Sequence, residues 1–381
     1  MRTVREPGPY ATRGRAPRRH GHPKPSLRAA RYSCVISERR ARDGLSRVEI
    51  AGQTGLSAQT VSNVTRRLLD DAIIRDAGQQ ILGVGKPRTI LQLVASSRYA
   101  VGVHIDPAVV TYVVLDLGGR IVAHASTQRP RDVIVGLSDG VEAIIVSSGV
   151  DRARLLGVGI ASPGPVDLER GIVLDPPLLE GWHGVALRDG LAAATGLPVL
   201  LEKDVTAAAV AEPWMSEAHE RDNFVFFYYG TGVGVGLAMG HEVVRGSTSN
   251  AGDAGHIMVD ADGPVCGCGR RGCVGAAIMT RSLVTLAIER GVLDAPDGML
   301  PDDDLDPGVV DEYFTRLAAL ADAGHEAASG ILTEMARRVA AAVVTIVSLL
   351  DLDAVVLGGP HFERVSGPLL RDLPELINSS G

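Results

Sequence analysis

Four residues that commonly bind metals lie close together in the second half of the chain. His256 is followed by the run Cys266-Gly267-Cys268-Gly269-Arg270-Arg271-Gly272-Cys273. Three thiolates and one imidazole suit tetrahedral Zn²⁺, and the interspersed glycines let the backbone fold around an ion. With His256, Cys266, Cys268 and Cys273 as ligands, no coordination position stays open. We therefore predict a structural zinc that shapes the loop; the alternative is three free thiols near an unrelated histidine.

A second candidate for chemistry is the glycine-rich run Gly230-Thr231-Gly232-Val233-Gly234, which follows the apolar segment Phe224 to Tyr229. Backbone amides and a hydroxyl placed after a strand can surround phosphate oxygens. Glycine turns between strands are common, so this run alone is weak support for nucleotide binding.

Composition limits the class of protein that must position these residues. The chain has 381 residues, 45% of them hydrophobic and only 4% aromatic, with 45 glycines. This predicts two or three domains of α/β type and excludes a small disulfide scaffold. No apolar run reaches the ~18–20 residues of a membrane span, and no signal peptide is evident. We expect a soluble, cytoplasmic protein without membrane contact.

Charge is distributed unevenly along the chain. Residues 1–95 contain 18 Lys and Arg against 7 Asp and Glu, whereas the remainder contains 20 against 38. A basic first quarter on an acidic body predicts a polyanion-binding module attached to a larger globular part. Residues 1–26, rich in Arg, Pro and His, are interpreted as a basic disordered tail.

The pattern over residues 27–95 predicts a winged helix-turn-helix. After a first helix from Leu27 to about Arg42, Ser46 can cap a second helix with Glu49 as its capping-box partner. A turn at Gly55 leads to a third helix capped by Ser57. Two short strands, near residues 72–75 and 89–93, flank a basic wing tip.

The third helix has an apolar stripe on one side and polar side chains on the other. Such side chains can bond to base edges or phosphates, which predicts binding to a double-stranded DNA operator. The alternative is a three-helix bundle used for protein contacts. The DNA-binding candidates on the helix and wing are Ser57, Gln59, Thr60, Asn63, Arg66, Arg67, Lys86 and Arg88.

From residue 99 onward, strands and helices alternate, which predicts two α/β lobes that face each other across a cleft. Five motifs in this part occur in a familiar order: Gly159-Ile160-Ala161-Ser162-Pro163-Gly164-Pro165-Val166-Asp167, Gly181-Trp182, Glu202-Lys203-Asp204-Val205-Thr206-Ala207-Ala208-Ala209, Gly230-Thr231-Gly232-Val233-Gly234 and Gly252-Asp253-Ala254-Gly255-His256. Together with the cysteine cluster they resemble the ROK family of repressors, open reading frames and kinases.

This resemblance implies an actin-like, hexokinase-like ATPase fold over residues 99–381. It also implies zinc at the four predicted ligands, all of which match the family. Relatives usually continue past Gly358-Gly359 with a helix, a strand and a closing helix, so the C-terminus is expected to be short.

ROK kinases hold ATP with two glycine-rich turns, and only the second is present here. The first should read D-x-G-G-T, but this chain has His104-Ile105-Asp106-Pro107-Ala108. Pro107 lacks an N–H donor, and Asp106 places negative charge where phosphate would lie. ATP binding and phosphoryl transfer are therefore not expected.

The sugar site implied by the family is also altered. Asp204 matches the catalytic base of ROK kinases, here interpreted as vestigial; its usual Asn neighbour is Lys203. The family Glu-x-Gly-His has become Asp253 to His256, and a further sugar-contacting Glu is replaced by Gly275. Lys203, Asp204, Asp253 and His256 are the effector-binding candidates, and the added cation suggests an acidic or phosphorylated sugar. The alternative is a cleft without a ligand, in which Lys203 and Asp204 form a local ion pair.

These observations predict a sugar-responsive transcriptional regulator, a repressor, whose body dimerises on a palindromic operator. In the family's manner, an effector in the cleft would alter the lobe angle and the spacing of the DNA-binding heads. The first alternative is an active ROK sugar kinase with Asp204 as the base. The second is a ligand-independent DNA-binding dimer whose body is only a scaffold.

Overall fold

The computed structural model describes residues 44–80, 87–107, 109–177, 179, 181–215, 222–296 and 305–378. The chain forms two compact units that divide between Val94 and Ala95, and each is described by itself. The proposed tail, the first helix and Lys86 lie outside the described residues.

The described part of the first unit contains two helices and a three-stranded sheet. In chain order the elements are β1 (Leu45–Ser46), α1 (Arg47–Thr54), α2 (Ala58–Asp70), β2 (Ile74–Gln80) and β3 (Arg88–Leu93). The sheet has the order β1-β3-β2. Both helix starts follow from local sequence: Ser46 and Glu49 form the predicted capping box, and Ser57 caps α2. Gly55 has a φ of 65° and ends α1 in the left-handed conformation.

The core of this unit is formed by the apolar stripe of α2 together with α1 and β2. Val61, Val64 and Leu68 are buried against Ile50 and Ile74. The first wing strand was expected near residues 72–75, but β2 begins at Ile74 and continues to Gln80. The pairing of β2 with β3 also shifts between Asp76 and Gln79. Arg88 is the first residue of β3 and pairs with Gln80, the last residue of β2.

The second unit begins with a mixed five-stranded sheet, which we call lobe one. Its elements are β4 (Tyr99–Ile105), β5 (Val109–Asp116), β6 (Ile121–Gln128), α3 (Val133–Ser148), β7 (Leu155–Ser162), β8 (Val166–Asp167), β9 (Ile172–Val173), α4 (Leu187–Thr195) and β10 (Val199–Lys203). The strand order is β10-β7-β4-β5-β6. The predicted hairpin of β4 and β5 is antiparallel, whereas β4, β7 and β10 are parallel neighbours.

Lobe two follows, with a four-stranded sheet covered by helices. Its elements are α5 (Asp204–Met215), β11 (Phe224–Tyr229), β12 (Val233–Met239), β13 (Glu242–Val243), α6 (Val274–Ile278), α7 (Thr280–Glu289), α8 (Pro307–Asp322), α9 (Glu326–Leu350), β14 (Ala354–Gly358) and α10 (Phe362–Asn378). The strand order is β13-β12-β11-β14. The apolar face of α9 is buried over its whole length and organises the core of this lobe.

The predicted glycine-rich turn is shorter than expected. Only residues 230–232 turn, because Val233–Met239 is strand β12. A Cβ at Gly236 would lie 2.1 Å from the carbonyl oxygen of Val205. This glycine therefore allows close packing of helix α5 on the sheet and is not part of a phosphate loop.

Among the described helices, none combines the length and apolar character needed to cross a membrane.

Candidate functional site

A cleft of about 590 Å³ lies where the strand ends of the two lobes meet. Lobe one contributes the ends of β4 and β10 with the loop after β7; lobe two contributes the turn after β11 and the loops around Asn250 and the cysteines. Crevices beyond the carboxyl ends of parallel strands are common ligand sites in α/β proteins, and the volume suits a small molecule.

The four predicted metal ligands are brought together beside this cleft. One ligand atom from each of His256, Cys266, Cys268 and Cys273 lies within 4.8 Å of all the others. The distance is 3.5 Å from Cys266 Sγ to His256 Nδ1 and 3.7 Å from Cys268 Sγ to Cys273 Sγ. Bonds of ~2.3 Å to sulfur and ~2.0 Å to nitrogen, arranged tetrahedrally, give edges of about 3.5–3.8 Å. The donor set and its spacing therefore fit Zn²⁺.

The backbone around the cysteines is folded into a tight hairpin, which we call the knuckle (residues 265–273). Cys266 N donates to the carbonyl of Arg270 at 2.7 Å, and Gly269 N donates to the carbonyl of Cys266 at 2.8 Å. A Cβ at Gly272, whose φ is 70°, would lie 1.4 Å from the carbonyl oxygen of Asp260, so no other residue fits there. A backbone hydrogen bond from Arg270 lowers the pKa of Cys268, which favours the thiolate form that binds metals, whereas burial raises the pKa of Cys273.

The first phosphate loop of the resemblance is replaced by a tight turn that contacts lobe two. Asp106 N donates to the carbonyl of Val109 at 3.0 Å, and Pro107 has no N–H. The hydroxyl of Thr231 donates to the carboxylate of Asp106, at 3.1 Å from one oxygen and 2.9 Å from the other. The Asp106 carboxylate of lobe one thus accepts the hydrogen bond that the Thr231 hydroxyl of lobe two would otherwise donate to a phosphate.

Lys203, which replaces the family asparagine, donates hydrogen bonds to backbone carbonyls. Lys203 is 8% exposed, and its Nζ donates to the carbonyls of Asn250 and Ala251, each at 3.2 Å. It forms no ion pair with Asp204 among the described contacts, contrary to the alternative interpretation. The side chain of Asn250 joins the lobes, since it accepts from Val166 N at 2.7 Å and donates to the Val166 carbonyl at 2.8 Å.

Asp204 begins helix α5 at the floor of the cleft. Its carboxylate accepts from Val205 N at 2.7 Å. Burial raises the pKa of Asp204, and nearby Asp106 adds to the rise, while His104 and Lys203 act against it. Burial likewise raises the pKa of Tyr228, whose ring meets that of His104 edge-on with centroids 6.3 Å apart.

Asp253 and Gly275 lie on the knuckle side of the cleft. The Asp253 carboxylate is exposed and makes no hydrogen bond or ion pair within the part of the chain that the structure describes. A Cβ at Gly275 would lie 3.0 Å from the carbonyl oxygen of Gly255, so the backbone is closely packed where relatives place a glutamate. His256 faces Cys266 through Nδ1 and also lines the cleft, so this imidazole is adjacent to both the metal cluster and the cleft.

The predicted DNA-binding side chains divide into two groups on the first unit. Ser57 and Thr60 bond to each other through their hydroxyls, 2.9 Å apart, as part of the α2 cap. Gln59, Asn63 and Arg66 form an exposed row one helical turn apart, and Gln59 Nε2 donates to Asn63 Oδ1 at 3.2 Å. Arg67 is exposed beside this row.

Residues 100–378 match the ROK family. The chain belongs to the ROK family. The Bacillus subtilis xylose repressor is 28% identical over 60% of this chain and 60% of its own length. A ROK family transcriptional regulator, homologous to the E. coli MLC protein, superposes with a TM-score of 0.72 over 92% of this chain and 88% of its own, at 22% identity. A ROK glucokinase from Streptomyces griseus, solved with glucose and AMPPNP, gives 0.59 at 28% identity over 73% and 89%.

The ROK fold also reveals cleft residues that the sequence did not single out. Asn250 and Tyr228 line the cleft beside Lys203 and Asp204, and the carboxylate of Glu202, next to Lys203 in the chain, forms a 2.7 Å ion pair with Arg245. Asn250 falls in a loop without a recognisable motif, and its partner Val166 is 84 residues away. In the sequence, only the position of Asn250 three residues before Asp253 indicated that it could lie near the cleft.

Proposed function

We propose that this ROK protein is a transcriptional repressor that binds an operator through α2 and senses a sugar in the cleft. The exposed row of Gln59, Asn63 and Arg66 on a capped helix carries the proposal. Amide and guanidinium side chains one turn apart can read adjacent base edges in the major groove, and Arg67, Lys86 and Arg88 are assigned to phosphates. Two-fold pairing of the body would match a palindromic operator.

Selection of duplexes from a random pool, followed by fluorescence anisotropy, tests this role. Asn63→Ala and Arg66→Ala should each weaken binding by about 1–3 kcal/mol and relax specificity at one position. Gln53→Ala, an exposed change on α1, is the matched control and should have little effect. Failure to enrich any sequence would overturn the DNA-binding role.

For the effector, we propose an uncharged sugar over an acidic or phosphorylated one. The Lys203 ammonium already donates to two carbonyls, and the charged residues lining the described cleft are otherwise Asp106, Asp204 and Asp253. Carboxylates accept hydrogen bonds from sugar hydroxyls but repel an anion. Titration calorimetry of the zinc-loaded protein with neutral, amino, acidic and phosphorylated sugars, followed by operator release, distinguishes these classes.

A second candidate function is sugar phosphorylation with Asp204 as general base. The retained Asp204 and a 30% identity with the Streptomyces coelicolor glucokinase over 64% of this chain favour it. Phosphoryl transfer also needs a positioned triphosphate, and the Asp106 contact with Thr231 argues against one. A coupled ADP-release assay over a panel of hexoses decides between the two functions. Operator binding that no sugar alters would instead favour the ligand-independent dimer.

A further inference from the structure

We propose that Asp106 is a built-in substitute for a bound phosphate group, and that it joins the two lobes without a nucleotide. The inference goes beyond the proposed function and concerns only the second unit, so it can be tested without DNA or effector. It begins from the two hydrogen-bond distances of 2.9 and 3.1 Å between the Thr231 hydroxyl and the Asp106 carboxylate.

The two partners belong to different lobes. Asp106 directly follows strand β4 in lobe one, and Thr231 lies in the turn between β11 and β12 in lobe two; 125 residues separate them. A contact between these two turns therefore fixes the distance between the two sheets at this end of the cleft. Where a nucleotide is bound between such turns, its phosphate oxygens accept hydrogen bonds from both.

The chemistry of the carboxylate matches that role. A carboxylate and a phosphate are both anionic oxygen acceptors, and hydrogen bonds to such oxygens are stronger than those between neutral groups. Asp106 supplies this acceptor from the protein itself and is held in place, because its own N–H donates to the Val109 carbonyl.

The turn after β4 offers no free backbone N–H at residues 106 and 107 to an added phosphate. The Asp106 amide is already bonded and Pro107 has none, while Gly230 N donates within its own turn to the Gly232 carbonyl at 3.0 Å. The charge of Asp106 would also repel a second anion. Asp106 is therefore expected to occupy the phosphate position and to exclude a phosphate from it.

The test uses the full-length, zinc-loaded protein and inorganic phosphate as the probe, with melting temperature as the readout. The double variant Asp106→Gly/Pro107→Gly removes the carboxylate and adds a backbone N–H at residue 107, where proline has none. We expect it to melt at a lower temperature than the wild type and to gain about 3 °C from millimolar phosphate. The wild type should not respond. Asp106→Asn, which keeps an acceptor oxygen in place, is the matched control and should not respond either.

The hydroxyl partner provides an independent check. Adding Thr231→Val to the double-glycine variant should abolish the response to phosphate, since the donor is lost. If the double-glycine variant does not fold, the single variants Asp106→Ala and Thr231→Val and their combination replace it. The combined variant should then lose no more melting temperature than the more affected single variant, because both remove one shared contact.

Two outcomes would overturn the inference: a phosphate response in the wild type equal to that of the double-glycine variant, or additive losses in Asp106→Ala and Thr231→Val. Selection of an operator by the wild type is measured separately. Failure of the phosphate test would thus leave the proposed DNA-binding role standing, and failure to bind DNA would leave the lobe contact standing.

Discussion

The knuckle and the first phosphate turn lie in the same cleft. The metal cluster keeps the residue types that its chemistry requires, whereas the phosphate turn does not. At the metal cluster, all four predicted ligands are present, and one ligand atom of each lies within 4.8 Å of the others. In the turn after β4, the glycines and the hydroxyl residue are replaced by Asp106, Pro107 and Ala108. A metal held by these four ligands would maintain the shape of a loop, whereas the first phosphate turn would serve a reaction. The residue types of the metal cluster are therefore retained in this cleft, whereas those of the first phosphate turn are not.

Removing the metal or one ligand should have the largest effect. Cys273 is fully buried, so Cys273→Ser should lower the free energy of unfolding by about 4 kcal/mol or more. A chelator should have a comparable effect on the wild type and no further effect on the variant. Cys34→Ser, which changes the one cysteine outside the cluster, is the control. Denaturant unfolding with metal analysis checks this; an unchanged midpoint after metal loss would contradict a structural role for zinc.

Two strand glycines test whether the packing of α5 on the sheet determines the choice of glycine in β12. Gly236→Ala should cost about 1–3 kcal/mol, because its Cβ would press on the Val205 carbonyl at 2.1 Å. Gly159→Ala, also in a strand but with nothing within 4 Å of the new Cβ, should be close to neutral. Urea unfolding of both variants provides the measurement. Equal losses would mean that the tight contact of α5 with β12 does not determine the choice of glycine.

What could be predicted from sequence depended on how local each feature is. The capping box of Ser46 and Glu49 and the cysteine knuckle each involve residues close in the chain, and hydrogen-bonding or metal-ligand chemistry fixes their spacing. The lobe contact of Asp106 with Thr231 spans 125 residues and depends on how two sheets face each other. No pattern of residue types specifies that distance, although the type change at Asp106 did indicate an altered loop.

Register and glycine function were harder to predict for the same reason. The pairing of β2 with β3 shifts between Asp76 and Gln79, and a one-residue change in pairing cannot be predicted from a short polar strand. Gly234 belongs to the predicted phosphate turn, and Gly236 continues the same glycine spacing in the sequence. Only the position of α5 shows that they permit helix packing.

Substitution of Lys203 tests whether this residue, at the altered sugar position, stabilises the fold. Lys203→Met keeps the aliphatic stem but leaves the carbonyls of Asn250 and Ala251 without their donor, which should cost about 1–3 kcal/mol. Arg245→Met breaks the partly exposed pair with Glu202 and should cost less than about 1 kcal/mol. Thermal unfolding compares the two. If Lys203→Met lost less stability than Arg245→Met, the hydrogen bonds of Lys203 to the backbone would not be important for folding, and a role in ligand binding would be favoured.

The smallest expected effect is the pH dependence that Asp204 contributes. Burial raises the pKa of this carboxyl in the folded protein, so the folded state holds a proton that the unfolded chain has already released. Its contribution to stability is therefore fully present below the unfolded pKa of about 3.9 and is lost as the pH rises through the folded value. Asp204→Asn removes that loss, so the variant should gain stability relative to the wild type as the pH rises. Because thiolate protonation at low pH affects both proteins equally, the difference between their urea midpoints at several pH values isolates the carboxyl. Parallel curves would show that Asp204 is well solvated, and the floor of the cleft would then be as open to water as the rim at Asp253.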